Sequence, residues 1–182
     1  MRVQQPILTA ERLLLRSFQV SDAPRVALLA GDFEIACMTS NIPHPYQEKM
    51  AVEWIQEHEN QYLAHTAIHF AIVKRDEDLL IGAIGLSLDL QNQRAEIGYW
   101  IGKPFWNQGY ATEAAQRVLK FAFDELDLNR IEARHMTKNP ASGRVMQKIG
   151  MSYEGTLRQS IYRFGNFEDA ALYSILREEF TR

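Results

Sequence analysis

The sequence predicts a single α/β domain, mixed in the α+β sense, with helices flanking a mostly antiparallel sheet. Three observations predict it. The segments "AIHFAIVK", "LLIGAIGLSLDL" and "AEIGYWIG" are separated only by "RDED" and "QNQR", and two short polar connections in a row imply an antiparallel meander. A strand, a long helix and a strand then follow in "AEIGYWIG", "GYATEAAQRVLKFAFDEL" and "RIEARHMT", a unit that makes the sheet mixed. The chain closes on two strand-like runs around "GN", a hairpin signal.

The elements can be justified in chain order. "ERLLLRSF" reads as a strand with Leu13 and Leu15 on one face. "SDAPRVALLAG" reads as a short helix capped by Ser21 or Asp22 and stopped by Gly31. "MTSNIPHPY" carries two prolines and reads as a polar-aromatic loop. Met50, Trp54, Ile55, His58 and Tyr62 recur at helical spacing in the segment after it. Ile68, Phe70 and Ile72 alternate along the next strand. Ala111, Ala114, Ala115, Val118, Leu119, Ala122 and Leu126 form one apolar stripe on the long helix. "NPASGRVMQKIG" is a short helix with Asn139 as N-cap, Pro140 in the first turn and Gly150 as stop.

Composition narrows the function. The chain has 182 residues and no internal repeat or linker, so one domain spanning 1–182 is expected. Its net charge of -3 argues against a nucleic-acid binder that works by neutralising phosphates. No apolar run approaches the roughly 20 residues of a membrane span, and the N-terminal segment has no apolar leader. A single cysteine, Cys37, precludes an internal disulfide and points to a reducing, cytoplasmic setting. Cys37 is expected to be a packing residue. No metal site is expected.

The chemistry is concentrated in "EIGYWIGKPFWNQGYATEA". The first N–H groups of a helix have no internal partners and carry the positive end of its dipole. Gly109 and Ala111 would let an anion approach those groups closely, as at other phosphate sites on helix N-termini. No Gly-Lys-Ser/Thr follows, so this is no Walker loop, and the G-x-G-x-x-G spacing of a dinucleotide fingerprint is missing. Gly98 interrupts the preceding strand, which suggests a bulge or a close backbone approach.

Four stretches in order, "TAERLLLR", "AEIGYWIGKPFWNQGYATEA", "NPASGRVMQKIGM" and "DAALYSILREEF", resemble the GNAT acetyltransferase superfamily and, within it, the RimJ/RimL branch. The family's cofactor grip is Arg/Gln-x-x-Gly-x-Gly/Ala. Trp106 stands in the first position, followed by Asn107, Gln108, Gly109, Tyr110 and Ala111. The resemblance implies a GNAT fold whose sheet splays at its middle strands. It implies that acetyl-CoA is the acetyl donor, with its pyrophosphate on the backbone from Asn107 to Thr112. The pantetheine arm would lie like an added strand against Tyr99, Trp100 and Ile101, and Asn139 would reach its amides. A backbone N–H near Tyr99 or Trp100 would polarise the thioester carbonyl.

The catalytic groups depart from the family pattern. The tyrosine acid of many members would fall at Met146, and the glutamate base of the RimI type would fall at Arg134. Ser142, one helical turn after Asn139, is the candidate donor to the leaving sulfur and also a cofactor contact. Glu96 on the central strand is the candidate base; a salt bridge to Arg94 or another sheet arginine is its structural alternative. His135 is a second candidate base. His44, Tyr46 and Trp54 are expected at the acceptor side, with core packing the alternative for Trp54. The expected acceptor is a primary amine, first a protein N-terminal α-amine of the ribosomal-protein type. The alternatives are a small amine (polyamine, aminoacyl nucleotide or antibiotic) or a sensor that binds acyl-CoA without turnover. Monomer and homodimer are both open.

Overall fold

The structure is a computed structural model that describes residues 5–180. Residues 1–4, part of the N-terminal segment read above as lacking a leader, lie outside the described residues. The strands are β1 (Leu8–Thr9), β2 (Leu13–Arg16), β3 (Ala67–Lys74), β4 (Leu79–Asp89), β5 (Arg94–Ile101), β6 (Arg130–Met136), β7 (Ser152–Arg163) and β8 (Asn166–Leu176). The helices are α1 (Ala23–Ala30), α2 (Phe33–Ala36), α3 (Glu48–Leu63), α4 (Tyr110–Asp124) and α5 (Pro140–Lys148). One eight-stranded sheet runs in the order β1-β2-β3-β4-β5-β6-β8-β7. The β5–β6 pair is parallel and every other pair is antiparallel.

Side-chain alternation assigns the two faces. Leu13, Leu15, Phe70, Ile72, Ile84, Leu86 and Ile97 point to the face covered by α4 and α5. Ala71, Val73 and Leu80 point to the other face, under α1 and α3. β3 is therefore buried on both sides, which is why Ala71 and Val73 are as enclosed as the predicted row of Ile68, Phe70 and Ile72. Among the described residues, no helix is long and apolar enough to cross a membrane.

The structure differs from the local sequence pattern at several points, the first of them the two-residue strand β1 ahead of β2. α2 interrupts the stretch before the proline loop, started by Asp32, whose side chain accepts from the Glu34 N–H at 2.8 Å. The final hairpin turns on Phe164–Gly165 rather than Gly-Asn, because Arg163 pairs with Asn166 and both turn residues have positive φ (46° and 84°). That geometry belongs to a two-residue type I′ turn. The shift by one residue seats the Phe164 ring on Phe33 (5.3 Å), while the Arg163 guanidinium donates to the Ala36 and Ile42 carbonyls. Gly98 causes no bulge: it pairs in regular register with Gly85 of β4.

One buried group makes the fold acid-sensitive. His58 of α3 is 7% exposed, and neither ring nitrogen has a hydrogen-bond partner among the described residues. Trp54, Phe18 and His69 surround its ring. Burial, and secondarily the neighbouring His69, push the His58 imidazole down to about 3. A histidine whose folded pKa is depressed takes up its proton more readily in the unfolded chain, so stability falls as pH drops below the ordinary value of about 6.5. His58→Phe is expected to remove that contribution. Between pH 6.5 and 5 the variant should lose roughly 1–2 kcal/mol less stability than the parent in urea titrations. Parallel pH curves for the two proteins would show that His58 is not the sensitive group.

Candidate active site

β5 and β6 pair only through Arg94–Arg130, Ala95–Ile131 and Glu96–Glu132. Beyond those residues β5 stays with β4 as far as Ile101, and β6 stays with β8 as far as Met136. The sheet therefore opens into a wedge between two of its central strands. A cleft of about 1050 Å³ passes through this opening, lined on one side by α4, α5 and their leading turns. Its other side is walled by Tyr46 and Trp54, ahead of and on α3, and by residues around α2. Backbone groups of β5 facing the wedge lack sheet partners, so an extended, amide-bearing ligand has a strand edge to join.

The start of α4 is the first wall. Gly109 is its N-cap with φ +83°, and Asn107 before it has φ +60°. These two left-handed residues fold the chain tightly, and Asn107, Gly109, Tyr110, Ala111 and Thr112 line the cleft at a helix start whose first N–H groups have no intrahelical partners. The loop is held from three sides. Trp106 donates its indole N–H to the Ile101 carbonyl at 2.6 Å, and Gln108 donates its side-chain amide to the Pro104 carbonyl at 3.2 Å. Arg12 of the β1–β2 connection donates to the Gln108 carbonyl at 3.0 Å and to Glu113 at 2.7 Å. Its backbone N–H also bonds Glu113 at 2.7 Å, and its guanidinium lies 4.6 Å from the Tyr110 ring centre. Glu113 sits in the first turn of α4, where a free carboxylate would repel a bound anion. Arg12 cancels that charge.

The start of α5 is the second wall. Asn139 accepts the Ser142 N–H with its side-chain oxygen at 3.3 Å. The Tyr99 hydroxyl lies 3.1 Å from Ser142 Oγ and 3.2 Å from the Ser142 carbonyl. A side chain of β5 thus spans the wedge to α5. Burial pushes the Tyr99 phenol up to about 12, outweighing the opposing bond to Ser142, so it remains a neutral donor at working pH. The Ser142 carbonyl can only accept, so the single phenolic proton is shared between that carbonyl and Ser142 Oγ; when it goes to Oγ, the serine proton is left to point into the cleft.

On the opposite face Glu96 meets Arg134 at 2.9 Å. The structural alternative for Glu96 is therefore realised with Arg134 rather than Arg94, which bonds Asp89. Glu96 and Arg134 both line the cleft, as do Tyr46, Trp54, Trp100, Asn107, Gly109 and Asn139. Tyr110, Ala111, Thr112, Ile101 and Ser142 line it too. Two predicted residues stand apart from it. His44 is exposed and packs on Phe33 (5.1 Å), while its neighbours Pro43 and Tyr46 face the cleft. Gln108 turns toward Pro104.

His135 touches the cleft but is wedged against α5: a Cβ on Gly143 would lie 2.7 Å from its Nε2. Met146 is 1% exposed in the core and does not line the cleft. The side chains missed in the sequence are Arg12, His69 and the Tyr99 hydroxyl. Arg12 and Glu113 lie 101 positions apart, so no local pattern connects them.

A family model described as an acetyltransferase (GNAT) domain matches residues 12–152. The chain is 35% identical over 173 residues to the uncharacterized N-acetyltransferase YoaA of Bacillus subtilis, covering 94% of this chain and 97% of that one. It is similar in structure to a GNAT-family acetyltransferase from Bacillus anthracis, with 30% identity, a TM-score of 0.85, and coverage of 96% of this chain and 100% of that one. A RimL ribosomal L7/L12 alpha-N-protein acetyltransferase in complex with coenzyme A shares the fold at 19% identity. Its TM-score is 0.87, with coverage of 94% and 98%.

Arg12→Ala is expected to weaken coenzyme A binding about fivefold, the scale of an exposed ion pair at ~1 kcal/mol. The variant frees the charge of Glu113 beside the anion. Adding Glu113→Gln should therefore recover part of the affinity. Titration calorimetry on the parent and both variants checks this, and equal affinities would detach Arg12 from the loop's function.

Proposed function

The chain belongs to the GNAT acetyltransferase family, an N-acetyltransferase that uses acetyl-CoA, and on that premise we propose that its acceptor is the α-amine of an extended protein N-terminus, attacked directly in a ternary complex. The observation that carries this reading is the charge of the acceptor wall. Among the described residues lining the cleft, the carboxylates are Glu34 and Glu96. Each is already paired, Glu34 with Lys103 and Glu96 with Arg134. A polyamine or aminoglycoside carries several positive charges and would find little to neutralise them. A peptide brings one amine and an apolar, hydrogen-bonding chain, which suits Tyr46, Trp54, Trp100 and Ile42. The name of the RimL neighbour is consistent with such an acceptor.

In this reading the N–H groups from Asn107 to Thr112 hold the pyrophosphate, and the open edge of β5 at Tyr99, Trp100 and Ile101 receives the pantetheine arm. A backbone N–H at Tyr99 or Trp100 polarises the thioester carbonyl. Asn139, with its oxygen committed to the helix cap, has its side-chain N–H₂ to offer the pantetheine amides. Glu96 removes the first proton of the amine, directly or through water. An α-amine with a pKa near 8 needs only a weak base for that step. Ser142 donates to the departing sulfur and is reprotonated from Tyr99. The basic residues Arg144 and Lys148 of α5 line the cleft and offer positive charge to the cofactor's phosphates.

An acceptor panel tests the proposal. A peptide beginning with Ala or Ser should release coenzyme A from acetyl-CoA far faster than spermidine or an aminoglycoside. The reverse order would move the acceptor to the small amines. Release with no member of the panel would favour a sensor.

Glu96→Gln should lower kcat about 10²-fold with acetyl-CoA affinity unchanged. A parent-like rate from pH 6 to 9 would leave Glu96 as the partner of Arg134 and nothing else. Ser142→Ala and Tyr99→Phe should each slow turnover by about ten- to a hundredfold, and the double variant by little more than either alone, because they act on one proton. Additive losses would break the relay. A tyrosine at position 146 would not substitute for them, since Met146 lies in the core.

A further inference from the structure

Acetylation of a protonated amine must shed two protons from nitrogen, one before attack and one after the N–C bond forms. Glu96 is placed for the first. His69 of β3 is a candidate for the second. It pairs with Gly85 of β4, and Gly85 pairs with Gly98 of β5, so the three residues form one row across the sheet. That row lies on the face of Glu96 and Trp100, next to the row of Ser87 and Glu96. Both of its other members lack side chains. The imidazole occupies the space over Gly85, where a Cβ would lie 2.7 Å from His69 Nδ1. A Cβ on Gly98 would meet nothing within 4 Å. From its place over Gly85 the ring faces open cleft across one strand spacing, about 4.8 Å, and His69 is part of the cleft lining.

The ring is also held in place. His69 Nε2 lies 2.9 Å from Gln61 Oε1. The Gln61 oxygen is an acceptor, so Nε2 carries the hydrogen and Nδ1, the ring atom nearest Gly85, is left with a free lone pair. His58 stacks on the other side of the ring at 4.3 Å, and Trp54 packs edge-on at 5.9 Å. We propose that His69 is a catalytic residue: its Nδ1 accepts the proton that remains on the acceptor nitrogen after attack on the thioester carbonyl.

The bonds balance. The N–C bond forms and the C–S bond breaks. The second nitrogen proton goes to Nδ1 and from there to solvent, and the sulfur takes a proton from Ser142. Nitrogen bonded to the carbonyl carbon is far more acidic than a free ammonium, so a weak base is sufficient. Burial lowers the basicity of His69 from the ordinary histidine value, which keeps the ring neutral and ready at neutral pH. The titratable groups that face it are His58 from α3, itself neutral there, and, across the cleft, Glu96 with Arg134. This inference rests on amine acetylation as the reaction, but not on the acceptor being a peptide.

The test uses the full chain with a Ser-starting peptide or, if the panel favours it, spermidine as acceptor. His69→Asn keeps an acceptor oxygen near Nδ1 but cannot hold the proton. It should lower kcat about 10²-fold and leave coenzyme A affinity within twofold. Gln61→Glu leaves His69 in place and puts a carboxylate on Nε2. It should raise the pH of the acidic limb by about one unit or more.

A third arm needs no acceptor: ¹⁵N spectra of the imidazole should show the Nε2–H tautomer. A kcat for His69→Asn within threefold of the parent, an unmoved limb in Gln61→Glu, or an Nδ1–H tautomer would each overturn the proposal. Turnover of spermidine but not of the peptide would sink the peptide reading and leave the His69 test intact.

Discussion

β5 and β6 run together for three residue pairs and then separate, and the remaining features of the site depend on that separation. Parting two central strands leaves backbone donors and acceptors without ladder partners, a costly state unless water or a ligand meets them. The opening is sustained by what each strand does on its far side. β5 remains fully registered with β4, and β6 with β8. Two side-chain links then span the gap from opposite faces, Tyr99 to Ser142 and Glu96 to Arg134. They set its width without closing it, so an extended chain of amides has somewhere to lie.

The two faces of the sheet divide the work. The face under α4 and α5 presents helix N-termini, a glycine in the left-handed region and the basic residues Arg144 and Lys148, an environment for phosphate. The face under α1 and α3 presents aromatic rings, a paired carboxylate and the stacked pair of His58 and His69. The two environments are continuous only where the sheet is open. Gly98 sits at that place. Its missing side chain keeps the passage clear rather than bending the strand.

Charge is managed locally. Glu113 would oppose an anion at the start of α4, and Arg12 neutralises it while also holding the Gln108 carbonyl. The β1–β2 connection, distant in sequence, therefore supports the loop that leads into α4. The His58–His69 stack follows a different rule. Two stacked imidazoles with restricted access to water rest neutral at neutral pH, and one of them, His69, reaches the cleft.

Periodicity and turn chemistry in the sequence alone determined the order of the longer elements, without β1 and α2, and also the mixed sheet, the glycine at the start of α4 and the Asn139 cap, because each is written within a few residues. The same local reading showed that no tyrosine stands at position 146. Tertiary structure alone decided which residues meet across long separations: Arg12 with Glu113 at 101 positions, Tyr99 with Ser142 at 43, and Glu96 with Arg134 at 38. It also decided that His44 faces away from the cleft, that the last hairpin turns on Phe164–Gly165, and that His69 lies over two glycines in a row. Those outcomes depend on strand register, and register is set by the packing of whole faces, whereas the sequence records only the spacing of neighbours.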